Sequence, residues 1–218
     1  MGIYYKMKII FLGPPGIGKG TQAKIISKRK EILHLSTGDM LRVAIEKKNE
    51  IGLLADLYMN KGRLVPDEIV LDLVSNRLKR KDIIDGFIFD GFPRTLNQAK
   101  ELKVLLNNLH YKIDHVIALN GNDEILIKRL MSRRSCSKCE KIINLIFSPP
   151  KIKNKCDICN GKLIQRDDDK LEIITNRLRI YKIQTQPLIN FYLNEKLLKK
   201  INGIGNLNYI TKIIENKL

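Results

Sequence analysis

Residues 8–21 read KIIFLGPPGIGKGT, and this stretch decides the class of fold. Its first five residues form a short apolar run, which predicts a strand buried in a parallel sheet. A glycine-rich loop follows and ends in Lys19 and Thr21, after which a helical pattern continues to about Arg29. Backbone N–H groups in such a loop, together with a helix N-terminus, attract phosphate oxygens, and glycine lets the chain wrap closely around them. The stretch therefore predicts a phosphate-binding loop between a strand and a helix.

The loop departs from the general phosphate-loop motif at one position. That motif places Ser or Thr directly after the lysine, whereas Gly20 stands there in this chain and Thr21 comes one residue later. Lys19 carries a full charge that can follow a phosphoryl group during its transfer. A tight strand–helix turn without a ligand is the alternative interpretation, but Lys19 and Thr21 in this context favour phosphate binding.

Strands and helices alternate along most of the chain, which predicts an α/β doubly wound fold: a phosphate-loop parallel sheet of about five strands. The further strand candidates are residues 32–35, 87–90, 116–119 and 197–201. Helical periodicity fills the segments between them and continues over 171–194, interrupted near Pro187.

Two segments break the alternation, and both are interpreted as insertions into a core domain of residues 1–35, 66–131 and 170–218. Residues 36–65 are helical in pattern and contain no obvious strand. Residues 132–169 contain all four cysteines and few helical signals, which predicts a separately stabilised lid.

Composition limits the classes of function. With 44% hydrophobic and 29% charged residues, the 218-residue chain is typical of a globular protein, and no apolar run approaches the ~20 residues that a membrane span requires. The N-terminal residues 1–8 lack the features of a signal or transit peptide, so a cytoplasmic location without a membrane partner is expected. The net charge of +17 fits an anionic substrate, and the absence of Trp and of basic blocks with interleaved aromatics disfavours nucleic-acid binding.

The cysteines form two C-x2-C pairs with sixteen residues between them. This spacing predicts a tetrahedral four-cysteine Zn²⁺ site with no open position, hence a structural one. A dithiol redox pair and four unconnected thiols are the alternatives, and iron could occupy the same ligands. The predicted metal ligands are Cys136, Cys139, Cys156 and Cys159.

Beyond these patterns, four segments resemble the adenylate kinases, in particular the long, zinc-containing type. They are residues 13–21, 35–42 (LSTGDMLR), 62–68 (GRLVPDE) and 90–95 (DGFPRT), and Gln98, Arg133-Arg134, residues 165–168 (QRDD) and Arg177 add to them. The DGFPR string is specific to nucleoside monophosphate kinases among phosphate-loop proteins. The resemblance covers nearly the whole chain and implies reversible, Mg²⁺-dependent phosphoryl transfer from ATP to AMP by a monomer.

The resemblance also implies which residues form the site. It assigns 36–65 to AMP binding, and Asp90 to a carboxylate that holds Mg²⁺ through water. The implied AMP contacts are Thr37, Arg42, Arg63, Leu64, Val65, Gly91, Phe92, Pro93, Arg94 and Gln98, of which Gln98 resembles the residue that reads the adenine edge. The implied ATP contacts are Gly16, Ile17, Gly18, Lys19, Gly20, Thr21, Arg133, Ile142, Ile143 and Gly205, and Arg166 and Arg177 resemble arginines that span both phosphate groups. The implied catalytic cations are Lys19, Arg94, Arg133, Arg166 and Arg177.

Three other functions remain compatible with parts of this pattern. A UMP/CMP kinase resembles it but usually has a short lid, whereas residues 132–169 form a long segment. A GTP-using AMP kinase would leave little trace in the sequence, because contacts to the donor base are mostly from the main chain. A zinc-ribbon nucleic-acid-binding protein with a vestigial nucleotide fold is disfavoured, since such a protein has no reason to retain the phosphate-facing arginines.

Overall fold

The computed structural model describes residues 6–218, so residues 1–5, on which part of the expectation of a cytoplasmic location rests, lie outside the described residues. Five parallel strands form the central sheet: β1 (Lys8–Leu12), β2 (Leu33–Ser36), β3 (Phe87–Asp90), β4 (His115–Asn120) and β8 (Leu198–Asn202). Their spatial order is β2-β3-β1-β4-β8, which confirms the predicted α/β parallel sheet. All five strands were expected from their apolar runs, and the observed bounds differ by one residue at several ends.

The sheet is covered on both faces because its strands alternate between two cores. Ile10 and Phe89 belong to one core cluster, while Ile9, Phe11 and Ile88 belong to the other. The first cluster packs against α4 (Asp67–Leu78), α5 (Leu96–Asn108) and α8 (Leu188–Asn194); the second packs against α1 (Lys19–Lys30), α6 (Asp123–Met131), α7 (Leu171–Ile180) and α9 (Leu207–Glu215). Within residues 6–218, no helix combines the length and apolar character that crossing a bilayer requires.

The segment 36–65 consists of two helices, α2 (Thr37–Glu46) and α3 (Glu50–Met59). Leu41 and Ala55 join the same core cluster as one face of the sheet, so these helices share the main core. Gly52 permits the two helices to touch, because a Cβ there would lie 2.0 Å from the Ala44 carbonyl oxygen. The boundaries 36 and 65 stay a prediction.

The segment 132–169 contains a second, antiparallel sheet in the order β6-β5-β7, formed by β5 (Arg133–Cys136), β6 (Ile142–Asn144) and β7 (Leu163–Ile164). Its buried cluster is small and consists of Cys136, Ile143, Cys156 and Leu163. A core of this size cannot stabilise such a segment through apolar burial alone.

The interruption predicted near Pro187 begins earlier in the structure. A π-helical turn spans Tyr181–Thr185, between α7 and α8, and the Gln186 N–H donates to the Tyr181 carbonyl at 2.8 Å. Pro187 has no N–H, and its ring would collide with the carbonyl of Ile183 in a regular helix. The wider turn is where the helix relieves that conflict.

Candidate active site

A cleft of about 700 Å³ opens at the carboxyl ends of the parallel strands. Ligand sites in doubly wound sheets lie at this edge because loops from several strands converge there. Several parts of the chain line the cleft, among them the phosphate loop, the helical segment 36–65, residues 90–98 after β3, the segment 132–169, helix α7 and residues 203–210 after β8.

The phosphate loop owes its path to glycines in the left-handed region. Gly16 and Gly18 have φ of 81° and 103°, and Gly18 directly precedes α1. The Lys19 ammonium donates hydrogen bonds to the carbonyls of Gly13 (2.7 Å) and Pro14 (2.9 Å). The Lys19 side chain therefore lies across the phosphate loop, and its ammonium group is beside the carbonyls of the loop.

The environment of Lys19 disfavours its charged form. Burial lowers the pKa of this lysine to about 7; Asp90 opposes the shift, and Arg94, Arg177 and Arg133 add to it. Nearby cations repel an ammonium, whereas phosphate oxygens would restore its preference for the proton. The protonation of Lys19 is therefore sensitive to an anionic ligand.

Gly20 stands where the general motif has Ser or Thr, and the structure supplies a reason. Parallel pairing of β1 with β3 places Phe11 opposite Asp90, so the carboxylate follows the strand that adjoins the loop. A Cβ on Gly20 would lie 2.8 Å from the Asp90 Oδ2. A side chain at position 20 would displace the carboxylate from this place, and the His34 Nε2 lies 3.3 Å from the same oxygen.

The carboxylate of Asp90 also satisfies the requirements of Mg²⁺. It is a hard oxygen ligand beside Gly20 of the phosphate loop, and Mg²⁺ in nucleotide sites binds one or two carboxylates together with phosphates and waters. The residues present are thus suited to the ion that the adenylate kinase family generally uses with ATP.

Arg94 and Arg166 both line the cleft, and each is fixed by a hydrogen bond from its Nε. The Arg94 Nε donates to the Gly91 carbonyl at 2.8 Å, and the Arg166 Nε donates to the Ser135 hydroxyl at 2.8 Å. Burial lowers the pKa of each guanidinium to about 10, and neighbouring arginines add to the effect. Both remain protonated near neutral pH, with terminal N–H groups free of the contact that fixes the Nε.

Two consecutive aspartates orient the remaining arginines. Asp169, whose side chain is fully buried, accepts from the Arg133 Nε (2.8 Å) and a terminal nitrogen of Arg133 (2.6 Å). Arg177 lies 2.9 Å from an Asp168 oxygen and 3.4 Å from Asp169. Burial opposes ionisation of Asp168, yet Arg177, Arg133, Arg42 and Arg166 together hold its pKa below the usual range.

On the side of the predicted acceptor, hydrogen bonds converge on Gly91 and Gln98. The Thr37 hydroxyl donates to the Gly91 carbonyl at 2.9 Å. The Gln98 Oε1 accepts from the Arg94 N–H at 2.7 Å, and the Gln98 Nε2 donates to the Asp67 Oδ1 at 2.7 Å. The amide is almost fully buried, with one edge toward the cleft.

The four cysteines of the second sheet meet at one point, because their sulfur atoms all lie within 4.8 Å of one another. The sulfur of Cys136 is 3.4 Å from that of Cys159, and the sulfur of Cys139 is 3.6 Å from that of Cys156. Tetrahedral Zn²⁺ with Zn–S bonds of about 2.3 Å holds its sulfurs about 3.8 Å apart. Backbone N–H groups of Cys139 and Lys138 lower the pKa of Cys136 to about 6, which favours the thiolate that a metal binds.

Comparison with known proteins agrees with this geometry. A family model described as adenylate kinase matches residues 11–197, which include the phosphate loop, the arginines and the four cysteines.

The chain belongs to the adenylate kinase family.

Several relatives named adenylate kinase match along almost their full length. The chain is 49% identical to one from Archaeoglobus fulgidus over 209 residues, 96% of each chain. It is 48% identical to one from Methanothrix thermoacetophila over 204 residues, 94% of each. It is 46% identical to one from Geotalea uraniireducens over 208 residues, 95% of this chain and 96% of the relative. The chain is thus an enzyme with an adenylate kinase phosphotransfer function, and its four-cysteine cluster is consistent with the zinc-containing lid type of the family.

The structure brings nearly all of the predicted adenylate kinase site residues to the one cleft, although none of their roles is tested by it. Phe92 and Ile143 are the two whose side chains do not line the cleft. Phe92 is fully buried against Phe89, and Ile143 belongs to the small core of the cysteine-bearing segment. A nucleotide contact from either residue would have to come from its main chain.

Two residues that line the cleft, Arg129 and Asp168, and the buried Asp169 beside it were given no role from the sequence. Arg129 lies with its guanidinium 5.4 Å from the centre of the Phe147 ring, and a planar guanidinium can stack on a base. Asp168 and Asp169 lie two and three residues after Arg166 and form ion pairs with Arg177 and Arg133, respectively. Periodicity gave no signal for them, because a carboxylate in a polar segment resembles any solvated charge.

Proposed function

We propose that the cleft transfers the γ-phosphoryl group of ATP to AMP, giving two ADP, by clamping both nucleotides between cations. One observation carries the proposal: five cations from four parts of the chain line a single cleft, namely Lys19, Arg94, Arg133, Arg166 and Arg177. Bringing two polyanions together is the main difficulty of this reaction, and such an array offsets their repulsion.

The chemistry needs no protein base. An oxygen of the AMP phosphate, already anionic, attacks the γ-phosphorus while the bond to the β–γ bridging oxygen breaks, so ADP leaves as the second ADP forms. Lys19 and the arginines neutralise charge on the equatorial oxygens of the transferring group. Asp90 would hold the Mg²⁺ that accompanies ATP, and the ion would supply further positive charge to the phosphates. The metal of the four cysteines would have no position left for substrate, so its role would be structural.

We infer that the segments 36–65 and 132–169 close over a core of residues 1–35, 66–131 and 170–218. Arg42 and Arg63 come from the first segment, and Arg133 and Arg166 come from the second. Phosphates held by both would draw the segments together and exclude water, which would otherwise hydrolyse ATP.

The cleft is complete within one chain, which supports a monomer. A cytoplasmic location, without a membrane or nucleic-acid partner, rests on the composition and on residues 1–8 and stays a prediction.

A coupled assay of ADP formation tests the proposed substrates. ATP and GTP serve as donors, each with AMP, CMP, UMP and GMP as acceptors. We expect ATP with AMP to give the highest kcat/KM. Preference for CMP or UMP would indicate a UMP/CMP kinase, and preference for GTP with AMP would indicate a GTP-using AMP kinase. Salt-dependent binding of nucleic acid without any transfer would support the zinc-ribbon alternative instead.

A further inference from the structure

The Gln98 amide is hydrogen-bonded at both ends. Its nitrogen meets a group that can only accept, and its oxygen meets a group that can only donate. The Asp67 carboxylate accepts hydrogen bonds and cannot donate them, and it lies 2.7 Å from the Gln98 Nε2. The Arg94 backbone N–H donates and cannot accept, and it lies 2.7 Å from the Gln98 Oε1. Turning the amide over would set its oxygen against the carboxylate and its NH₂ against the N–H. The two neighbours therefore fix which end of the amide is the donor.

Asp67 is itself fixed by two further contacts. Its Oδ2 accepts from the Thr95 hydroxyl at 2.8 Å and from the Asn97 amide at 3.0 Å. Thr95 is also the N-cap of α5, and its hydroxyl accepts the Gln98 backbone N–H at 3.0 Å. The carboxylate at the start of α4 is thus tied to the first turn of α5, and it cannot rotate away from Gln98 without breaking these bonds.

The remaining bonding capacity of Gln98 faces the cleft. An amide has two N–H donors and two acceptor lone pairs, and one of each is taken by Asp67 and Arg94. One donor and one acceptor remain, and this pair matches a purine with a 6-amino group beside an unprotonated ring nitrogen. A purine with a 6-oxo group would oppose its oxygen to the Gln98 oxygen, and the fixed amide could not turn to suit it.

We propose that Asp67 is a specificity-determining residue: by fixing the polarity of the Gln98 amide, it selects 6-amino over 6-oxo purine monophosphates as acceptors. Asp67 acts through Gln98 and touches no reacting atom, so it is a positioning residue. The proposal rests on the proposed reading of the acceptor base by Gln98.

The test compares AMP with IMP, which differ at the 6-position of the base. In Asp67→Asn, the new amide can keep its oxygen toward Thr95 and Asn97 only if its NH₂ faces Gln98. Because an NH₂ cannot accept a hydrogen bond from the Gln98 Nε2, the orientation of the glutamine amide is no longer fixed. We expect kcat/KM for AMP to fall about tenfold, and the AMP-to-IMP ratio of kcat/KM to fall at least as much, while the KM for ATP changes less than about twofold. Asp67→Glu retains an acceptor-only carboxylate and should restore part of the ratio.

Glu68→Gln is the matched control, because Glu68 is an exposed carboxylate in the same first turn of α4. Its removal takes the same charge from the helix N-terminus without touching Gln98, and we expect an unchanged AMP-to-IMP ratio. If Glu68→Gln lowered the ratio as much as Asp67→Asn, a general charge effect would replace the proposal.

Gln98→Leu and the double variant separate the two assumptions. We expect Gln98→Leu to raise the KM for AMP more than that for ATP, and Asp67→Asn to have no further effect on the ratio in that background. An unchanged KM for AMP in Gln98→Leu would overturn base reading by Gln98, and with it the role of Asp67, while AMP phosphorylation by the unaltered protein would still stand. A selective loss in Gln98→Leu combined with an unchanged ratio in Asp67→Asn would overturn the role of Asp67 alone.

Discussion

At the scale of single residues, the cations of the cleft are not equivalent. The Arg94 Nε is already bonded to the Gly91 carbonyl, which fixes the plane of the guanidinium and leaves its terminal N–H groups for phosphate. The Lys19 ammonium has no such plane and can follow a moving phosphoryl group. Arg94 therefore offers hydrogen-bond donors in a fixed orientation, whereas Lys19 offers a charge whose protonation depends on its surroundings.

Arg94→Lys should lower kcat by at least ~10² while the protein stays folded. A point charge on a flexible stem cannot replace a planar fork that bridges two phosphates. Steady-state kinetics and the unfolding temperature give the result. Arg179→Lys is the control, because Arg179 is an exposed arginine of α7. Near-normal turnover in Arg94→Lys would remove Arg94 from the catalytic set.

Binding of ATP should take up nearly one proton at pH 8. The pKa of Lys19 is about 7 in the free protein, so the amine is mostly neutral at pH 8, and phosphate oxygens raise the pKa on binding. The protonated form binds the anion, so affinity is greatest below pH 7 and weakens as the pH rises above it. Calorimetry in two buffers with different ionisation enthalpies measures the uptake between pH 7.5 and 9. Equal uptake in Lys19→Met would assign the proton to another group.

At the scale of elements, the segment 132–169 has a small core, and we expect it to depend on the proposed metal more than the rest of the described chain does. Its three short strands enclose only two aliphatic side chains, Ile143 and Leu163, besides the sulfurs. The main sheet, in contrast, has a buried cluster on each face. Loss of the metal should therefore open the lid before it affects the sheet.

Cys156→Ser should weaken the metal site and let residues 132–169 melt at lower temperature, while turnover at low temperature partly survives. Arg133 and Arg166 are still present to close on ATP, and the sheet does not depend on Cys156. Elemental analysis, which also distinguishes zinc from iron, is combined with thermal unfolding and low-temperature kinetics. Ser137→Ala, an exposed position between two of the ligands, is the control. A metal-free wild-type protein, or loss of turnover in Cys156→Ser with unchanged unfolding, would contradict a structural metal.

At the scale of the whole molecule, the net charge of +17 includes a group of cations that face one another across the cleft. Asp168 and Asp169 offset part of this repulsion, and polyanionic substrates should offset the rest. Substrate binding therefore stabilises the folded chain through residues that lie far apart in the sequence.

A non-hydrolysable ATP analogue with AMP, each at about a hundred times its Kd, should raise the unfolding temperature by roughly 10–20 °C. Arg133 and Arg134 offer a matched pair for this measurement. They are neighbours in β5. Arg133 lines the cleft, whereas Arg134 donates hydrogen bonds to the carbonyls of Met131 and Arg133. At the same ligand concentrations, Arg133→Gln should lose more than half of the shift, and Arg134→Gln should keep it. Equal shifts of the unfolding temperature in both variants would contradict the proposal that the cations of the cleft hold the nucleotides.

Much of this protein could be predicted from local sequence patterns. The phosphate loop, the five strands and the paired cysteines are encoded by residues within a few positions of one another, because period-2 and period-3.6 burial and backbone freedom at glycine act locally. The shared core of α2 and α3 with the sheet, and the π-helical turn before Pro187, were not visible in this way, since both depend on what each helix packs against.

The tertiary structure alone decided which distant groups meet. Placing β1 between β3 and β4 brings Asp90 against Gly20, and folding the lid onto α7 brings Asp169 between Arg133 and Arg177. Asp67 reaches Gln98 only because α4 packs beside α5. The sequence by itself determined an α/β fold with a phosphate loop and a four-cysteine cluster, since those signals are local. The partners of Asp67, Asp90 and Asp169 lie 8–70 residues away along the chain, because packing, not spacing, selects them.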